Sequence, residues 1–247
     1  MDSFFAKNIF LLFLPVFFLS LPAYANVHSV QISVSGHGVK EALVSSPTDD
    51  KKYPAIVFMH GGAIRDKGVP VSTLNKRLLN FSSLGFFVLA PLRTTKEGCC
   101  NGDDAIKEGI AIAKSSSEYL RSLPNVEKSK ICLIGFSEGA LISMWVMTEP
   151  NNFSSAVIMS PPNQCGMKRA GSKTKCGRHL ISNGKVEKVT KNIIVTLGDK
   201  ERKGHVKTAY GLSKKLGQKP VIMKGDHKSF LNPRKDVDSV ILEQCLK

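Results

Sequence analysis

A chain of 247 residues with 42% hydrophobic content can bury one substantial core and is short for two ordinary domains. Its formal charge of +15 is uneven, since residues 166–247 hold 20 Lys or Arg against seven Asp or Glu. Such a surface suits an anionic substrate or a polyanionic neighbour. The basic residues are scattered singly, however, without the aromatic interleaving of a nucleic-acid platform, so the pattern argues against a nucleic-acid partner.

Lys7 is followed by an apolar stretch from Ile9 to Leu21, and Ala23-Tyr24-Ala25 supplies a small-x-small cleavage pattern. Residues 1–25 therefore read as a cleavable signal peptide for export, periplasmic or secreted; an uncleaved anchor is the rival reading. No later segment matches that apolarity, so no stable membrane insertion is expected after cleavage. Export would permit disulfides among the six cysteines, Cys99, Cys100, Cys132, Cys165, Cys176 and Cys245. Cys132, inside an apolar run, reads as a buried free thiol, and Cys165 with Cys176 is the simplest pairing. No Cys/His cluster has zinc-ligand spacing, so zinc is not expected, and no motif calls for a cofactor.

Val30, Ile32 and Val34 alternate with polar residues, as in a half-exposed edge strand. A second strand near Glu41 to Ser45 ends before Pro47, and Ala55 to Met59 reads as a strand buried on both faces. Helical spacing runs from about Val71 to Leu84, with Leu74, Leu78, Leu79 and Leu84 as its apolar side. Phe86 to Ala90 is another buried strand. Asp103 to Leu123 is an amphipathic helix with Ile106, Ile110, Ile112, Tyr119 and Leu120 inward.

Residues 131–139 read Ile-Cys-Leu-Ile-Gly-Phe-Ser-Glu-Gly, an apolar strand ending in Gly-x-Ser-x-Gly, with a helix to about Thr148 beyond it. This is the layout of a nucleophile elbow. A serine hydroxyl must stand clear of the backbone where a base can reach it, and the flanking glycines let neighbouring chain come close. Ala156 to Met159 and Ile193 to Leu197 are further strands, His205 to Leu216 a helix, Val221 to Met223 the last strand, and Pro233 opens a closing helix. Strand and helix alternate, which predicts one α/β domain over 26–247 with a mostly parallel sheet covered by helices on both faces. Residues 160–188 break the pattern and read as a functional loop or small cap.

Around Ser137 the candidates are few. His227 follows the last strand, on the carboxyl edge where open parallel sheets place their sites. His60 also ends a strand, but the His60-Gly61-Gly62-Ala63 run suits backbone N–H groups of Gly61, Gly62 and Ala63 aimed at an oxyanion, with the N–H of Glu138 beside them. His60 then shapes the loop, and His28, His37, His179 and His205 read as surface histidines. The acid is Glu201 or Asp199, both just past the strand ending near Leu197, with Asp226 ranked third.

On the His-Gly-Gly run, Gly-Phe-Ser-Glu-Gly at 135–139, Phe86 to Pro91 and His227, the chain resembles the α/β-hydrolase superfamily. Within it the chain is similar to the dienelactone-hydrolase-like and exported serine esterase group. The resemblance implies metal-free hydrolysis of an ester, lactone or thioester through an acyl-enzyme on a small-molecule substrate. Two residues depart from the group's pattern. The acid slot three residues past Gly198 holds Glu201 rather than Asp, and Ser137 stands where dienelactone hydrolases proper have cysteine. Two other readings stand beside it: a hydrolase-fold binding module that engages an anionic surface with its basic last third, and an acyltransferase that uses the same triad residues.

Overall fold

The computed structural model describes residues 26–49, 51–62, 71–93, 103–163 and 184–247. The expected signal peptide, Ala63, most of the expected cap, Cys99, Cys100, Cys165, Cys176 and His179 lie outside these residues.

Among the described residues eight strands form one sheet: β1 (Val27–Val34), β2 (Gly38–Ser45), β3 (Tyr53–Met59), β4 (Phe87–Pro91), β5 (Val126–Phe136), β6 (Ser155–Met159), β7 (Asn192–Gly198) and β8 (Val221–Met223). Their order is β1-β2-β4-β3-β5-β6-β7-β8. The hairpin β1–β2 and the β2–β4 contact are antiparallel, and every pairing from β4 to β8 is parallel. Among the described residues five helices accompany them: α1 (Val71–Ser83), α2 (Asp103–Ser122), α3 (Glu138–Met147), α4 (Lys203–Lys215) and α5 (Lys235–Cys245). Among the described residues no helix is long and apolar enough to cross a membrane.

The inner strands are apolar throughout because both faces are covered, and their two-residue period divides them between two cores. Ala55, Val57, Met59, Ile131 and Leu133 face one core with residues of α2, α3 and α4. Ile56, Phe58, Cys132, Ile134 and Phe136 face the other with α1 and α5. The helix after the elbow, α3, is buried along its length from Gly139 to Met147, with Trp145 only 1% exposed. A helix apolar on every side suits a position between the sheet and α2 rather than at the surface.

Two expectations need correction. Leu79 is 38% exposed, while Arg77 and Phe81 join Leu74 and Leu78 on the buried side of α1. The arginine is accepted because its charge is met: Nη1 bonds Asp238 at 3.1 Å, and Nη2 donates to the carbonyls of Phe230 at 2.6 Å and Asn232 at 2.7 Å. Burial lowers the Arg77 guanidinium to about 10, which leaves it charged at neutral pH.

Cys132 is not a free thiol. It is bonded to Cys245 of α5, 113 residues away. Strand alternation explains the pairing, because Cys132 points to the face that α5 covers, where both cysteines are buried.

Candidate active site

The residues of interest all leave the sheet at its carboxyl edge, each from a different strand. His60 follows β3, Arg93 lies just past β4, Ser137 follows β5, Ser160 follows β6, Glu201 lies beyond β7 and His227 beyond β8. A parallel sheet brings these strand ends together although they are far apart in the chain.

Ser137 sits in a left-handed conformation, φ 53°, ψ −118°, between β5 and α3. Such a backbone is costly for a residue with a side chain and persists only where its surroundings impose it. Here the Ser137 N–H donates to the Met159 carbonyl at 2.9 Å, and its own carbonyl accepts from Leu141 at 3.1 Å. The turn also demands its glycines. A Cβ on Gly139 would run into the backbone of Met59 and His60, and one on Gly135 would strike Ser143 and Gly139.

Ser137 Oγ lies 2.9 Å from His227 Nε2. The opposite nitrogen, Nδ1, lies 2.9 Å from Glu201 Oε2 and 3.1 Å from Oε1. A carboxylate only accepts, so Nδ1 carries the proton and Nε2 presents a lone pair to the serine hydroxyl. The Glu201 side chain is 0% exposed. Burial works against its charge, yet the hydrogen bonds it accepts, from His227 and from the Arg202 N–H among them, hold its carboxyl down at about 2. It is therefore an anion at any ordinary pH.

Asp199, the other candidate acid, does not face the ring. Its Oδ1 accepts the Gly225 N–H at 2.8 Å and its own N–H donates to the Met223 carbonyl at 2.8 Å, so it ties the ends of β7 and β8 together. Two residues of reach make the difference: the chain turns after Gly198, and the longer Glu201 arrives beneath the imidazole. Asp226 caps the short 3-10 turn His227–Leu231, accepting the N–H groups of Lys228 and Ser229 at 3.1 Å each.

The His227 ring is held from several sides. Phe136 packs with a centroid distance of 4.9 Å and His205 with 4.5 Å. Arg77 fixes Phe230 and Asn232, the segment just after it. His205 is thus no surface histidine. Its Nδ1 donates to the Ser160 carbonyl at 2.8 Å, and burial depresses its imidazole below the ordinary value. His28 and His37 are exposed, as expected.

On the other side of Ser137, His60 shapes the Gly61-Gly62 turn. It is buried, its Nδ1 donates to the Gly61 carbonyl at 2.9 Å, and its Nε2 accepts the Arg93 N–H at 3.3 Å. Arg93, which the sequence reading passed over, ties this turn to the elbow. Its guanidinium bonds the His60 carbonyl and reaches Glu138 Oε1 at 2.7 Å. Glu138 opens α3, so its N–H belongs to a helix N-terminus, where backbone donors and the helix dipole favour negative charge. The turn after β3 also lies within reach of the serine, since a Cβ on Gly61 would sit 3.2 Å from Ser137 Cβ. Two backbone segments with different strand origins therefore flank the hydroxyl.

Over residues 22–161, more than half of its length, the chain matches the family model described as chlorophyllase. The chain belongs to the chlorophyllase family. That match places it in the α/β-hydrolase superfamily and takes in the elbow and the His-Gly-Gly turn. A second model, the C-terminal domain of BAAT and acyl-CoA thioester hydrolases, matches residues 114–216, which include Ser137 and Glu201. His227 lies outside both matches and is brought to the site by geometry alone.

A curated relative from Bacillus subtilis (strain 168), described as the uncharacterized peptidase YtmA, is 26% identical over 141 residues, 57% of this chain. The chain covers 53% of that relative, about half its length. Among solved structures, a Klebsiella pneumoniae subsp. pneumoniae MGH 78578 protein provisionally named a dienelactone hydrolase superposes with TM-score 0.63 at 14% identity, covering 90% of this chain and 99% of that one. An esterase from Pyrobaculum calidifontis gives TM-score 0.65 at 15% identity, covering 88% and 82%. These likenesses show the fold: this chlorophyllase-family chain carries the mostly parallel sheet, helices on both faces, of the α/β-hydrolases.

Proposed function

We propose that the protein is a serine hydrolase that cleaves a carboxylic ester, including lactone or thioester forms, through an acyl-enzyme. The observation that carries this reading is the unbroken chain of contacts from Ser137 Oγ through His227 to Glu201. As Ser137 Oγ attacks the carbonyl carbon, His227 Nε2 takes the hydroxyl proton, and the imidazolium so formed is stabilised by the Glu201 carboxylate. The carbonyl oxygen becomes an oxyanion, received by the Glu138 N–H and by N–H groups of the Gly61-Gly62 segment. Collapse expels the alcohol or thiol, which takes the proton from His227. Water then repeats the sequence against the acyl-serine and frees Ser137.

A Ser-His-Glu set needs no metal for these steps. The chlorophyllase-family match and the match to the C-terminal domain of acyl-CoA thioester hydrolases both support acyl transfer to water. The basic last third supports an anionic substrate. The apolar run and Ala-x-Ala pattern in residues 1–25 support export, checked by the N-terminus of the mature protein.

The test is a fluorophosphonate probe together with short-chain p-nitrophenyl esters. Labelling at Ser137 and loss of turnover in Ser137→Ala are expected. Folded protein that is neither labelled nor active would overturn the reading and favour a binding module.

A further inference from the structure

One carboxylate oxygen of Glu201 and one ring nitrogen each of His205 and His227 lie within 4.8 Å of one another. The two imidazoles are packed at 4.5 Å between centroids, and the carboxylate already contacts Nδ1 of His227 at 2.9 Å. Two imidazoles and one carboxylate form a ligand set suited to Zn²⁺, which takes nitrogen and oxygen donors at about 2.0–2.2 Å and leaves a fourth position for water. Donors around such an ion stand roughly 3.3 Å apart, so these three need shifts on the order of 1 Å to close on it.

We propose that Glu201, His205 and His227 form an inhibitory Zn²⁺ site that switches off the triad by capturing His227 Nδ1, an inference that rests on the hydrolase reading of the same residues.

A second observation points to a metal. A metal-binding histidine ordinarily donates its remaining N–H to a carbonyl or carboxylate, which sets tautomer and ring orientation. His205 already has that arrangement. Its Nδ1 donates to the Ser160 carbonyl at 2.8 Å, which leaves the lone pair on Nε2. The carbonyl is itself fixed, because Ser160 holds a left-handed backbone, φ 49°, and its N–H donates to Thr196 at 2.8 Å. Such strain in a non-glycine residue is kept where neighbouring structure imposes it.

Inhibition follows from the bookkeeping of one proton. Neutral His227 has a single ring proton, on Nδ1 and directed at Glu201, so that Nε2 can accept from Ser137. When Zn²⁺ takes the Nδ1 lone pair, that proton moves through solvent to Nε2, and the ring stays neutral. Nε2–H then faces Ser137 Oγ as a donor and cannot accept its proton. The same ion occupies the carboxylate that would have stabilised an imidazolium. The sequence hides this site because its ligands sit at 201, 205 and 227, a spacing no metal motif describes.

The test uses chelator-stripped protein titrated with Zn²⁺, read by calorimetry and, separately, by ester turnover. One ion per chain is expected, with inhibition tracking occupancy and reversed by EDTA. His205→Gln and His205→Leu should each weaken binding at least about tenfold and shift inhibition equally, each against its own metal-free rate. Ser137→Ala should bind Zn²⁺ as the wild type does, which measures the site without any turnover. No saturable binding, or binding indifferent to both His205 variants, would overturn the proposal. His205-dependent binding in a protein without ester turnover would keep the site and overturn the hydrolase reading instead.

Discussion

Arg93 and Glu138 are joined at 2.7 Å, and the same guanidinium bonds the His60 carbonyl, so one side chain couples the helix that begins beside Ser137 to the turn after β3. Both partners are largely buried, 5% and 14% exposed. Removing one member of a buried ion pair typically costs about 3–5 kcal/mol. Arg93→Met should therefore lower thermal stability. Ester turnover should also fall, by up to about two orders of magnitude, because the two segments proposed to supply oxyanion donors lose a common tie. Arg93→Lys, with its charge but no fork, should fall between them. Melting curves and steady-state kinetics on the same preparations check both effects.

Glu201 and Asp199 compete for one role in the sequence and occupy two in the structure. Glu201→Gln replaces the acceptor that fixes the His227 tautomer, and kcat should drop by on the order of 10⁴ with little change in KM. Asp199→Asn leaves that contact intact and weakens only the tie to Gly225, so kcat should stay within about tenfold and the loss should appear in stability. Equal losses of kcat in the two variants would contradict the geometry.

The depressed Glu201 carboxyl also makes a statement about pH. Its value in the folded protein, about 2, is below the ordinary 4.5. Between these values the unfolded chain binds more protons than the folded one. The stabilisation is thus complete above the ordinary value and is lost as pH falls through about 2. In chelator-treated samples, the melting-temperature advantage of wild type over Glu201→Gln should be full near about pH 6 and dwindle toward about pH 2. An advantage that grows on acidification would reverse the sign and refute the account.

The Cys132–Cys245 bond closes a 113-residue separation between β5 and α5. Cross-links of that span stabilise by about 2–4 kcal/mol, chiefly by restricting the unfolded chain. The paired replacement Cys132→Ala with Cys245→Ala should lower the melting temperature by roughly 5–10 °C. Reduction of the wild type should reproduce the shift. Activity at 25 °C should survive, because the bond joins the sheet's body to a helix and touches none of the residues around Ser137.

The strands and helices were legible because both signals are periodic: continuous apolar runs for Ala55 to Met59 and Ile131 to Phe136, and helical spacing for Asp103 to Leu123. Ser137 was legible because its motif is local, with glycines that the tight turn requires at fixed offsets. His227 and Glu201 could be nominated from their places after strands, but choosing Glu201 over Asp199 needed the path of the chain past Gly198. Leu79 misled because one added leucine widens an apparent stripe, while the buried Arg77 looks polar until its three partners come from residues more than 150 positions away. Arg93 and His205 had no local signature either. Each acquires meaning from groups at other strand ends, among them the carbonyls of His60 for the first and Ser160 for the second.

The proposed base is carried by the sheet's slightest member. His227 lies four residues beyond β8, which pairs over only Val221 to Met223 and leaves Ile222 at the margin half uncovered. The single tryptophan, Trp145, is by contrast enclosed in the centre. Margins of this kind unfasten before the interior does. In rising urea, then, turnover should vanish while indole fluorescence still reports an intact centre, and the enzyme would be silenced well before it is unfolded.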